Sequence, residues 1–231
     1  MASLYTQHYS SVKIDAFRTT FDITYEGKLA DIQNTRPLFA TLIKGLLTPI
    51  TSSDRLKTNI VYAEIVARER GILVNEQRSK ENGEGKAYSS FIILRARATR
   101  STSRPRELSR ADSLAAKRSL LQPEDQIIQG FVSGDQPFIS RLDKFKDEFV
   151  LKGTLIICRN FNACGKIGFV GSLLGKAGVN FKFMNVAPLH DEAGGSIEAL
   201  MILGIDRMIE EDVMRGLIGE EGVLEVRVVT L

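Results

Sequence analysis

Apolar and polar positions alternate through residues 14–26, with Phe17, Phe21, Ile23 and Tyr25 set against Asp15, Asp22, Thr24 and Glu26. A period of two predicts a half-buried strand, stopped by the turn at Gly27-Lys28. The period then changes. Asn34-Thr35-Arg36-Pro37 has the form of a helix start with proline in its first turn, and Leu38, Leu42 and Leu46 recur at helical spacing. Gly45 weakens only the last turn, before a loop near residues 49–54. A second helix is predicted over residues 59–70, burying Ile60, Ala63, Val66 and Ala67 and ending at Gly71. Residues 72–77 and 89–96 read as strands around the turn Asn82-Gly83-Glu84-Gly85. Three further short strands, at 127–133, 137–142 and 145–150, are separated by Gly134-Asp135 and Asp143-Lys144 and predict an antiparallel meander.

After Lys152-Gly153 the rhythm is different. Strand 154–159, helix 166–177, strands 180–187 and 197–205 around a loop with Gly194-Gly195, helix 210–218 and strand 223–229 give the order βαββαβ. That order predicts a four-stranded antiparallel ferredoxin-like sheet with both helices on one face. The fold class is therefore α+β, with a first α/β domain over residues 13–150 and a second over 151–231.

Composition changes this picture at one place. Residues 97–124 hold few large apolar groups, abundant serine and arginine and a proline near each end, which reads as a solvated insertion with at most a weak helix at 111–121. Between Arg95 and Arg118 eight basic side chains face two acids, an excess of six against a formal total of +3, so the rest of the chain is mildly acidic. A basic nucleic-acid arm or a phosphorylatable serine loop is the competing reading. No aromatic residue is present there to stack on bases, so nucleic acid is disfavoured as a partner. No apolar run reaches the roughly 20 residues of a membrane span. The first thirteen residues lack a secretory apolar core but are hydroxyl-rich without an acid. The compartment reads as cytoplasmic, with a plastid or other organelle as the alternative.

Candidate chemistry is sparse. His8 and His190 are the only histidines, and Cys158 and Cys164 have neither a disulfide framework nor metal-ligand spacing around them, so no metal site and no catalytic residue is expected. Cys164, near a helix start, reads as a reactive thiol or as a bystander with no partner base. Gly168, Gly171 and Gly175 read as close-packing positions of their helix on its sheet or on a second copy. The stretch from Gly153 to Asn180 carries the clearest signal. A strand there feeds a helix through the turn Asn160-Phe161-Asn162, and the first N–H groups of a helix have no intrahelical partner and favour negative charge.

The motifs Gly153-Thr-Leu-Ile-Ile-Cys-Arg-Asn160, Gly165-Lys-Ile-Gly-Phe-Val-Gly-Ser-Leu-Leu-Gly-Lys-Ala-Gly-Val-Asn180 and Gly222-Val-Leu-Glu-Val-Arg227 resemble an ACT domain. They are similar to the C-terminal regulatory domain of the D-3-phosphoglycerate dehydrogenase family. Tyr25-Glu-Gly-Lys-Leu-Ala30, Thr35-Arg-Pro-Leu38, Lys44-Gly-Leu-Leu47 and Ala67-Arg-Glu-Arg-Gly-Ile72 resemble that family's intervening, allosteric substrate-binding domain. The resemblance covers nearly the whole chain apart from the N-terminal dozen residues and the insertion. It implies a regulatory and oligomerisation module of serine biosynthesis that takes a small amino acid, L-serine first, at a seam between two ACT domains paired through a sheet edge. The implied effector residues are Asn160, Asn162 and Asn180 with backbone N–H groups at Gly165, Lys166 and Ile167. Amides can bond an ammonium or a carboxylate; the plainer reading has the asparagines satisfying turn backbone only. Arg36, Lys44 and Arg68 are candidates for a phosphate-type anion site, against a solvated basic face. The family turn reads Asp/Asn-Arg-Pro-Gly where this chain has Asn162-Ala163-Cys164-Gly165. Family members also carry a Rossmann domain and a catalytic histidine; no G-x-G-x-x-G follows a strand here, so no NAD cofactor is expected in this chain. A full-length dehydrogenase subunit is then an expected partner. The alternatives are a fragment of the dehydrogenase itself and a dimerisation module with a decayed effector site.

Overall fold

The computed structural model describes residues 1–9, 19–51, 62–69, 71–79, 90–97, 126–190 and 196–231. The start of the first expected strand, Ile60, the Asn82–Gly85 turn, the insertion from residue 98 onward and the Gly194-Gly195 loop lie outside them. Chain order is α1 (Ala2–His8), β1 (Thr19–Gly27), a 3-10 turn (Lys28–Asp31), α2 (Arg36–Thr51), α3 (Ala63–Glu69), β2 (Ile72–Ser79), β3 (Ser90–Arg97), β4 (Gln126–Ser133), β5 (Gln136–Leu142) and β6 (Phe149–Val150). The second half adds β7 (Thr154–Phe161), α4 (Lys166–Lys176), β8 (Phe181–His190), β9 (Ser196–Ile205), α5 (Glu211–Ile218) and β10 (Val223–Thr230). Two sheets result, ordered β2-β1-β3-β4-β5-β6 and β10-β7-β9-β8.

The alternation in β1 is realised as read: Phe21, Ile23 and Tyr25 are buried on one face. Beyond the expected antiparallel strands, β1 and β2 pair in parallel. Parallel neighbours need a crossover, and α2 with α3 supplies it. In α2 the buried stripe is Ile43, Leu46 and Leu47, with Phe39 and Leu42 packed against it, while Leu38 is exposed. The expected stripe of Leu38, Leu42 and Leu46 is thus rotated by part of a turn. Helix α2 also runs on to Thr51, through the expected loop at Pro49. The third meander strand shrinks to Phe149–Val150, with Phe145 bridging back to Leu142. Phe145 and Phe149 are both buried, while residues 146–148 between them join no strand.

The N-terminal residues form a helix that the sequence reading lacked. Leu4 and Tyr5 of α1 are buried in the same cluster as Phe21, Leu46 and Ile139. Gly45 admits this helix: a Cβ built on it would lie 2.6 Å from Cβ of Ala2. The glycine that weakens α2 locally is the place where α1 crosses it.

In the second sheet β7 is flanked by β10 and β9, and every neighbouring pair is antiparallel. Its two faces have different owners. Ile156, Cys158, Met201, Leu203 and Val226 pack with α4 and α5 through Val170, Leu174 and Leu217. Leu155, Ile157, Leu200, Ile202 and Val229 join the cluster that holds Leu4, Tyr5, Phe145 and Phe149. Burying each such side chain is worth roughly 1.5–3 kcal/mol. The face opposite the helices is therefore spent on the first domain, leaving the edges β8 and β10. Pro188 lies within β8, as an edge strand permits.

Candidate functional site

The turn between β7 and α4 follows from simple parity. Residues of β7 alternate between the two faces, so Asn160 falls on the helix-covered face with Ile156 and Cys158. Asn160 is 2% exposed. Its Nδ2 donates to the Phe161 carbonyl at 2.8 Å, and its Oδ1 is buried without a hydrogen-bond partner. Asn162 is exposed, and its backbone N–H donates to the Ile197 carbonyl at 3.1 Å. Gly165 takes φ +87°, a left-handed conformation that suits glycine, and no side chain caps the helix that follows. The first N–H groups of α4, from Lys166 and Ile167 onward, start a helix of 11 residues.

Lys166 points elsewhere. Its Nζ bonds Glu220 Oε1 at 3.0 Å and the Glu221 carbonyl, tying α4 to the turn before β10. Only its backbone belongs to the turn. Ile167 is 51% exposed, and Phe161 and Ile197 are likewise exposed large apolar residues. Gly168, Gly171 and Gly175 have nothing within 4 Å of a built Cβ, so they do not close-pack against the sheet.

Asn180 is at the other end. Phe181 pairs with Ile205, which pairs with Thr154, whereas Asn160 pairs with Ala199. Six residues of β9 separate the two ends, roughly 20 Å at strand rise. One copy does not bring Asn160 and Asn162 together with Asn180. Asp206 was not singled out from sequence, yet it holds Asn180: the Asn180 N–H donates to Asp206 Oδ1 at 3.1 Å and its Nδ2 reaches Oδ2 at 3.5 Å. The backbone bond from Asn180, followed by Arg207 at 3.4 Å, keeps the Asp206 carboxyl below the ordinary range. An acid just past the end of β9 was the available signal.

The three basic candidates of the first domain do not converge. Arg68 pairs with Glu64 at 2.7 Å on the exposed side of α3. Lys44 lines a cavity of about 850 Å3 with Tyr25, Leu42, Phe131 and Phe138, which neither Arg36 nor Arg68 lines. Of the cysteines, Cys158 is buried and its thiol is pushed up to about 11 by that burial, while Cys164 is exposed. His8 is buried at the junction of the two sheets with Nδ1 unpartnered, beside a polar cavity of about 30 Å3 that Asp143, Lys144, Arg159 and Glu225 also line.

Residues 5–106 match the family model of the D-3-phosphoglycerate dehydrogenase intervening domain. The chain is 28% identical over 194 residues to "D-3-phosphoglycerate dehydrogenase 3, chloroplastic" of Arabidopsis thaliana, covering 84% of this chain and 30% of that protein. The chain is a relative of the D-3-phosphoglycerate dehydrogenases. The D-3-phosphoglycerate dehydrogenase of Methanocaldococcus jannaschii is 27% identical over 218 residues, 94% of this chain and 35% of its own length. That of Bacillus subtilis is 27% identical over 210 residues, 90% and 34%. The chain spans about a third of the length of these curated relatives. The matched region begins at residue 5, so the second half of helix α1 falls within it, although the motif resemblance left the N-terminal dozen residues out. Among the described residues no helix is long and apolar enough to cross a membrane.

Proposed function

We propose that this chain is a regulatory module of phosphoglycerate-dehydrogenase type that binds a small amino acid, L-serine first, between two copies of its second domain. The reading rests on one observation above others: Asn160 presents a buried, unpartnered carbonyl beside the uncapped start of α4. A buried acceptor without a partner is costly, and an ammonium or hydroxyl donor would relieve it.

The opposite placement of Asn160 and Asn180 favours a two-copy site. A two-fold axis perpendicular to an edge strand reverses that strand, so the turn of one copy faces the β8 start of its mate, and two equivalent sites form. The helix start, with its N–H groups and positive dipole end, suits the effector carboxylate. Asp206 with Asn180 of the other copy suits its ammonium. Phe161, Ile167 and Ile197 would be covered in such a pair.

The chain itself would carry no oxidoreductase activity and no NAD site, and would act with a dehydrogenase subunit or as part of one. Its compartment, cytoplasm or plastid, follows that partner. Calorimetry with L-serine, glycine and 3-phosphoglycerate tests the reading. Saturable serine binding that Asn180→Ala abolishes supports it; a flat serine titration to millimolar concentration leaves the dimerisation module without an effector. NADH formation from 3-phosphoglycerate by the purified chain would overturn the non-catalytic assignment.

A further inference from the structure

Arg159 and Asn160 are consecutive on β7 and so face opposite sides of the sheet. Asn160 lies under α4, while Arg159 faces the junction with the first sheet and lines the polar cavity there with His8, Lys144 and Glu225. Glu198 of β9 reaches the same corner: its Oε2 stands 3.1 Å from Lys144 Nζ and 3.9 Å from Arg159 Nε. The side chains of Lys144 and Glu198 are only 22% and 15% exposed, which screens the pair less than a surface one. Lys144 is anchored by its neighbour, because the Asp143 carboxylate accepts from the Tyr9 hydroxyl at 2.5 Å and from the Ile127 N–H at 3.1 Å. On the other side, Glu198 is the register partner of Phe161, and the preceding carbonyl, of Ile197, accepts from the Asn162 N–H.

We infer that Lys144 and Glu198 are positioning residues for the β7–α4 turn, their ion pair holding the Ile197 carbonyl, and through it the Asn162 backbone, in register with the first sheet. The chain of contacts is continuous: Asp143-Lys144 turn, Glu198 carboxylate, Ile197 carbonyl, Asn162 amide. Its regulatory meaning rests on the reading of that turn as an effector site. Any ligand that shifts the turn would then be felt at Lys144, and a displacement of the first sheet would be felt at the turn, since such coupling is reciprocal.

Amide hydrogen exchange on the intact chain without any ligand tests the positioning role. Lys144→Met and Glu198→Gln are each expected to speed exchange of the Asn162 amide by roughly two- to thirtyfold, with the amides of α5 unchanged. The charge-swapped double variant Lys144→Glu/Glu198→Lys is expected to recover protection at Asn162. Unchanged Asn162 exchange in Lys144→Met overturns the inference. A uniform rise across the whole four-stranded sheet, which marks general loosening, overturns it too. Because no effector is present, this outcome is independent of whether serine binds.

Discussion

Asn160 and Asn180 stand at opposite ends of one four-stranded sheet, opposite Ala199 and beside Asp206 respectively. A ligand that needs both must take them from different copies. Binding and self-association are then linked, because a ligand held by the pair stabilises the pair. Sedimentation at a protein concentration near the dimer constant should show the dimer fraction rising with L-serine. An association constant indifferent to saturating serine would place any serine site within a single copy.

Helix α1 is docked through the absence of a side chain at Gly45. Gly45→Ala adds helix propensity worth about 1 kcal/mol, but puts a methyl group 2.6 Å from Ala2 Cβ. Overpacking of a fixed helix contact costs roughly 1–3 kcal/mol, so the net change should be destabilising. The denaturant midpoint checks the sign. A stabilised variant would mean that α1 moves aside freely.

Gly204 of β9 lies under the Phe183 ring, whose nearest atom would be 2.3 Å from a Cβ. Gly204→Ala must turn that ring off the sheet, and Phe183 packs against the junction core. A loss of roughly 1–3 kcal/mol is expected. Phe183→Ala should remove the clash and make the same glycine substitution nearly neutral in that background, which a double-mutant cycle reads directly.

His8 gives the fold a pH dependence. Burial holds its imidazole down at about 4; Glu225 pulls the value up, while Arg227 and Arg159 push it down further. Unfolded, the same group titrates near 6.5. Between these values the unfolded chain binds a proton that the folded chain does not, so stability falls as pH drops from 6.5 to 4 and this contribution levels off below. The full effect is on the order of 3 kcal/mol. Denaturation at several pH values should show the slope in the wild-type chain and its loss in His8→Leu.

Much of this architecture is written in local patterns. The β1 alternation and the βαββαβ order of the second domain follow from periodicity and turn residues, and the family resemblance survives comparison with curated relatives. What the chain concealed depends on contacts between distant segments. Helix α1 is short, and its buried Leu4, Tyr5 and His8 look unremarkable until Gly45 and the Asp143 turn meet them. Helix α2 buries Ile43, Leu46 and Leu47 and leaves Leu38 exposed, a rotation its own leucine spacing did not show. Asn180 shares a motif with Asn160 in sequence, yet strand direction carries it to the far end. Asp206 becomes visible as its partner only once β9 is paired.

The most direct measurement is a mixing experiment. Asn162→Ala chains lose the turn half of each site and Asn180→Ala chains lose the β8 half, so neither should bind L-serine alone. Mixed pairs should contain one intact site and one doubly damaged site. Calorimetry of an equimolar mixture should recover wild-type affinity at roughly a quarter of the wild-type number of sites, as random pairing makes half the dimers mixed. Undiminished binding by either variant alone, or no recovery on mixing while mixed dimers form, would contradict a shared two-copy site.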